Sequence, residues 1–132
     1  MEDENRSGYF HWNELLTTDV ELAKRFFTTL LGWSYEDMAM PDGSKYFVAL
    51  LDDEPVAGLM TMPKAIPAGT PPHWLSYIEV DDLDVRLGKA RQGGGSVLRE
   101  PFEVEGVGRI AIIADPTGAV LGLIAPAAFE DD

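Results

Sequence analysis

The sequence predicts an α+β fold made of two βαβββ modules in a single domain, and three observations carry that prediction. A helix pattern with a polar cap, an apolar stripe and a glycine stop occurs twice; the two copies keep a constant spacing; and each is flanked by short β-type runs separated by turn residues. Tyr9 to Thr17 opens the first copy as a strand, with Trp12, Glu14 and Leu16 on one face and His11, Asn13 and Leu15 on the other. Thr18 or Asp19 then caps a helix. Thr18-x-x-Glu21 has capping-box spacing, and Leu22, Ala23, Phe26, Phe27, Leu30 and Leu31 form one stripe that ends at Gly32. Trp33 to Met38, Lys45 to Leu51 and Pro55 to Met62 follow as three short strands, separated by turns at Pro41-Asp42-Gly43 and Asp52-Asp53-Glu54. Residues 9–62 are thus the first module.

Residues 63–73 hold four of the nine prolines and no periodicity, so they are a linker. The pattern restarts in residues 74–126. Trp74 to Val80 is a strand, Asp81 or Asp82 caps a helix with the stripe Leu83, Leu87 and Ala90, and Gly93-Gly94-Gly95 ends it. Ser96 to Phe102, Arg109 to Ala114 and Val120 to Ile124 are the remaining strands, the last two joined by a turn at Asp115-Pro116-Thr117-Gly118. Asp19 and Gly32 recur as Asp82 and Gly95, each 63 positions on, which is the mark of an internal duplication. The alternative is a ferredoxin-like α+β domain in which two β-α starts coincide.

Composition narrows the function. Ten Lys and Arg against 23 Asp and Glu leave a net charge of −13 over 132 residues, the reverse of what a nucleic acid or an anionic membrane surface attracts. Cysteine is absent, which removes disulfides, thiolate metal sites and Cys nucleophiles and points to the cytoplasm. The start MEDENRSG has neither a basic n-region nor an apolar h-region, and the apolar stretch from Ala119 to Phe129 is broken by Gly122 and Pro126, too short to span a bilayer. The triple glycine closes a helix instead of opening one, so it is no phosphate loop.

The segments ELLTTDVELAKRFFTTLLGW, YIEVDDLDVRLGKARQGGGSV and GRIAIIADPTGAVLGLI together resemble the vicinal oxygen chelate superfamily of glyoxalases, bleomycin-resistance proteins and extradiol dioxygenases, over roughly residues 9–126. Trp12, the Gly32-Trp33 pair, Trp74-x-x-Tyr77 and Gly108-Arg109 resemble a glyoxalase-like subgroup. The resemblance implies a curled mixed sheet around a shared pocket, and a homodimer in which a two-fold mate covers open sheet edges. It also implies four metal-ligand positions, which fall on Trp12, Gly58, Leu75 and Gly122. None of those side chains can bind a divalent ion, so the expectation is no metal and no other cofactor. A relocated site would have to draw on His11, Glu14, His73 and Glu79, yet strand alternation sets His11 opposite Glu14.

The pocket that remains is apolar and aromatic, walled by Trp12, Leu75, Tyr77, Tyr46 and Phe102, and suits a planar or hydrophobic small molecule. Glu14 shares the face of Trp12 and is the candidate general base or hydrogen-bond anchor; a packed structural carboxylate is the equal alternative. Glu79 shares the face of Tyr77 but sits at a strand end beside Asp81 and Asp82, where solvation is the simpler outcome. Arg109 is either a surface residue or a partner for Glu14 or an anionic group. Two functions compete: a metal-free binding protein of the resistance or sequestration type, and a glyoxalase- or dioxygenase-like enzyme that uses a relocated metal or Glu14. A regulatory protein with a vestigial pocket is the third.

Overall fold

A computed structural model of the chain describes residues 6–40, 43–64, 66–104 and 107–126. The described elements run β1 (Phe10–Thr17), α1 (Val20–Leu31), β2 (Ser34–Ala39), β3 (Lys45–Leu51), β4 (Glu54–Thr61), β5 (His73–Glu79), α2 (Leu83–Gln92), β6 (Ser96–Val104), β7 (Gly108–Ala114) and β8 (Val120–Pro126). The βαβββ order therefore occurs twice, as the sequence predicts, and the fold is α+β with mixed strand pairing. The chain forms two compact units, Trp12–Leu75 and Met1–His11 with Ser76–Asp132, so the unit boundaries fall inside β1 and β5 and not at the proline-rich linker. Two backbone bonds tie the start of the chain into the second of these units, Gly8 N–H to Glu79 O at 2.8 Å and Glu79 N–H to Tyr9 O at 2.9 Å.

Within the Trp12–Leu75 unit the strand order is β2-β3-β4-β1, antiparallel except for the parallel β4–β1 pair. The other unit repeats it as β6-β7-β8-β5, again with one parallel pair, β8–β5. Between the strands of each parallel pair the chain crosses over through a helix to the outer strand and returns by two hairpins. Asp19 and Asp82 are the N-caps: their carboxylates accept from Leu22 N–H at 3.0 Å and Val85 N–H at 3.2 Å. The alternatives Thr18 and Asp81 are set aside, Asp81 instead binding Arg86 at 3.0 Å.

Helix α1 stops at Gly32 in the left-handed conformation (φ 79°), as its glycine predicts. The expected counterpart differs. Gly93 caps α2 with an ordinary φ of −84°, and the left-handed residue is Gly94 (φ 93°), not Gly95. Gly95 is needed for closeness: a Cβ there would lie 2.7 Å from the Ala114 carbonyl oxygen.

The cores are local. Leu15, Phe47, Ala49, Ala57 and Leu59 form one, covered by Val20, Ala23 and Phe27 of α1 with Trp33 and Tyr35. Val80, Leu83, Leu87, Ala111 and Leu123 form the other. The α1 stripe thus splits. Ala23 and Phe27 cover the core, whereas Leu22, Phe26, Leu30 and Leu31 are exposed, and the helix has no buried residue. The β3–β4 hairpin turns through Asp52 (φ 52°) and Asp53 (φ 67°), both left-handed without being glycine. The first turn's Pro41 and Asp42, and Gly106, lie outside the described residues. In the last turn, Asp115 accepts from Thr117 N–H at 2.8 Å, Thr117 Oγ1 at 2.6 Å and Ala119 N–H at 3.1 Å, and the Thr117 hydroxyl above all holds its carboxyl below the usual range.

Candidate functional site

Two strand-interior glycines organise the site. Gly58 stands beside Glu14 in the parallel β1–β4 register, and Gly122 stands beside Tyr77 in the equivalent β5–β8 register. A glycine inside a strand marks a close approach by another group. At Gly58 that group is the Tyr46 ring: a Cβ would lie 1.6 Å from the phenol oxygen and 2.3 Å from Cζ. At Gly122 it is the Tyr77 ring, 2.3 Å from such a Cβ at its nearest carbon. The two covers have different origins. Tyr46 reaches diagonally from β3, where it pairs with Met60, whereas Tyr77 lies over its own direct neighbour on β5.

Tyr46 is held as well as stacked. The Trp12 indole N–H donates to its oxygen at 2.8 Å, and the phenol shares a side-chain hydrogen bond with Glu14. Burial, followed by the Glu14 charge, pushes the Tyr46 hydroxyl well above its ordinary range, so it stays a neutral donor. Glu14 is 9% exposed, a buried carboxyl with this phenol as partner. The sequence thus brings Trp12, Glu14, Tyr46 and Gly58 together within one unit. Alternation on β1 predicted the first two on one face, and the hydrogen bond joins Tyr46 to them.

Leu75 (5% exposed) and Tyr77 (7%) are buried. Phe102 on β6 is half-buried with the Arg99 guanidinium 3.7 Å from its ring centre. The Arg109 guanidinium meets Asp84 of α2 at 3.3 Å, on the surface. Glu79 pairs with His11 at 3.2 Å, both partly exposed. His73 Nδ1 is 2.9 Å from the Pro71 carbonyl oxygen. A shallow cavity of about 270 Å³ lies between α1, β2 and β3 against Glu21, Lys24, Tyr35, Asp37, Lys45 and Phe47, none of them an expected wall residue. What the sequence reasoning missed is the cover itself. The available signal was a strand glycine with an aromatic residue on a neighbouring strand.

The model of the Glyoxalase/Bleomycin resistance protein/Dioxygenase superfamily matches residues 9–123. The chain belongs to that superfamily. A protein of Mycobacterium tuberculosis named "Putative glyoxylase CFP32" is 45% identical over 121 residues, 91% of this chain and 46% of that protein. The anthracycline biosynthesis protein DnrV of Streptomyces peucetius is 29% identical over 123 residues, 85% of this chain and 45% of that one. The chain spans about half the length of these curated relatives. Among solved structures, methylmalonyl-CoA epimerase from Mycobacterium tuberculosis shares the fold at 18% identity, with a TM-score of 0.69 over 98% of this chain and 95% of the epimerase.

A divalent metal does not fit the superfamily positions of this chain. The Trp12 indole N–H is committed to Tyr46, Leu75 offers no donor, and Gly58 and Gly122 have tyrosine rings where a ligand side chain would begin. Among the described residues, no group of three or more His, Cys, Asp and Glu could hold a metal ion. Among them, too, no helix is long and apolar enough to cross a membrane.

Proposed function

We propose that this member of the superfamily binds a small planar or hydrophobic molecule without a metal, against Trp12 and Tyr46, with Glu14 as the polar anchor. The observation that carries the reading is the tyrosine ring over Gly58, locked by Trp12 and Glu14. It replaces a ligand position with an aromatic wall and one neutral hydroxyl, the mix of apolar surface and few polar groups that small-molecule sites use. A cysteine-free acidic chain supports a cytoplasmic location.

Protein purified without chelator is expected to carry far less than one divalent ion per chain, and EDTA is expected to leave Tm unchanged, because losing a native-state ligand would lower it. Titration with 2-naphthol is expected to quench tryptophan fluorescence, and Trp12→Ala to remove most of that quenching. A stoichiometric metal whose removal lowers Tm would refute the reading, as would quenching that survives Trp12→Ala. A second reading gives Glu14 a general-base role in a metal-free reaction, favoured by its burial and its tyrosine partner. Glu14→Gln separates the two roles, since an amide oxygen still accepts from Tyr46 but takes no proton.

A further inference from the structure

Hydrogen bonding among Trp12, Tyr46 and Glu14 runs in one direction. The Trp12 indole nitrogen is a donor only, and its one hydrogen goes to the Tyr46 oxygen at 2.8 Å. With one side of that oxygen taken, the phenol turns its own hydrogen to Glu14, the other side chain it bonds. Hydrogens therefore pass from Trp12 to Tyr46 to Glu14, and the chain of bonds ends on a carboxylate. An ionised carboxylate only accepts, and its two oxygens offer about four lone-pair positions, of which the phenol takes one. The backbone beneath adds no donor, because β4 pairs with β3 on one side and β1 on the other and its amides are spent in those ladders. Both side-chain donors are thus consumed inside the protein. What is left for a ligand is acceptor capacity and negative charge.

We propose that the site selects its ligand by the hydrogen the ligand brings: it takes a neutral or cationic aromatic molecule with an O–H or N–H on the ring edge that meets Glu14, and it rejects ethers and carboxylates of the same shape. The inference rests on the binding role given above to Trp12, Tyr46 and Glu14. A donor-bearing edge adds one more bond to a charged acceptor, among the stronger hydrogen bonds in proteins. A ligand that brings lone pairs alone sets them against those of Glu14 and loses its water there without compensation. An anion fares worst, because Glu14 is 9% exposed, so a second negative charge beside it is poorly screened, and the chain as a whole carries −13. Tyr46 is the specificity-determining residue. By absorbing the indole N–H it removes the group through which the site would otherwise hold an acceptor.

Calorimetric titration of the full chain at neutral pH with 2-naphthol, its methyl ether 2-methoxynaphthalene and 2-naphthoate tests this on one ring system. 2-Naphthol is expected to bind about tenfold more tightly than the ether and about a hundredfold more tightly than the carboxylate. Tyr46→Phe keeps a ring over Gly58 and releases the Trp12 N–H, so the preference for naphthol over ether is expected to fall toward none. Glu14→Gln, whose amide accepts from Tyr46 through oxygen and offers two N–H donors, is expected to lose the preference too and to bind 2-naphthoate more tightly than the parent does. Equal affinity for naphthol and ether, with both lost in Trp12→Ala, would overturn the selectivity and leave the binding role standing. Binding of neither would overturn the binding role and the selectivity with it. A preference that Tyr46→Phe leaves unchanged would overturn the part given to Tyr46, and 2-naphthoate as the tightest of the three would overturn the part given to charge.

Discussion

Gly58→Ala tests the tyrosine cover most directly. The new methyl would sit 1.6 Å from the Tyr46 oxygen, 2.3 Å from Cζ and 2.9 Å from the next ring carbon, so a rigid ring must leave, with no flexible chain end to give way. Its departure breaks the Trp12 bond and the bond shared with Glu14, each about 1 kcal/mol. Forcing a ring off its seat adds about 1–3 kcal/mol of overpacking strain. The expected loss is therefore about 3–5 kcal/mol. With a urea slope of about 2 kcal/mol/M, the midpoint should fall by about 1.5–2.5 M in a circular-dichroism titration. Tyr46→Ala removes the obstacle, so adding Gly58→Ala to that background should cost less than about 0.5 kcal/mol. It could even stabilise, because alanine restricts the unfolded chain. The cycle should then give a coupling of about 3 kcal/mol or more. If Gly58→Ala lies within 0.5 kcal/mol of the parent, or costs the same in both backgrounds, the ring does not own that space and the reasoning fails.

Two further outcomes follow from the same structure. The hairpin turn holds two aspartates in left-handed conformation, so Asp53→Gly should stabilise by about 0.5–1 kcal/mol and raise Tm by a few degrees in calorimetry; no change or a fall would mean that the turn is unstrained. The Tyr46 phenol is raised above the ordinary 10.0 by burial and then by Glu14, so its contribution is complete below pH 10 and declines as pH rises beyond. Urea midpoints should drop on going alkaline, and Tyr46→Phe should flatten the drop; an equally steep decline in the variant would refute that origin.

The βαβββ order, the two aspartate caps and most strand limits were legible because they rest on local chemistry: a carboxylate three residues before an N–H, a glycine where φ turns positive, alternation along a strand. The apolar stripe of α1 was also legible, but its division into covered and exposed halves was not. Periodicity says which residues share a face; only the width of the facing sheet says how much of that face it covers. Arg109 shows the same limit, since its choice of Asp84 depends on where α2 lies and not on neighbours in sequence.

The site divides along the same line. The sequence by itself determined that Trp12, Gly58, Leu75 and Gly122, the positions that the family resemblance implies for metal ligands, carry no ligating side chain, because side-chain chemistry is independent of folding. It also determined that Trp12 and Glu14 share a face. Only the tertiary structure decided what fills the space over the glycines. Tyr46 comes from a different strand and Tyr77 from the adjacent residue of its own pair, although the backbone register of the two units is equivalent. A duplicated backbone repeats its hydrogen bonds, but a glycine imposes no side chain of its own. The occupant is set by whichever neighbour can reach the vacancy and satisfy its polar atom there.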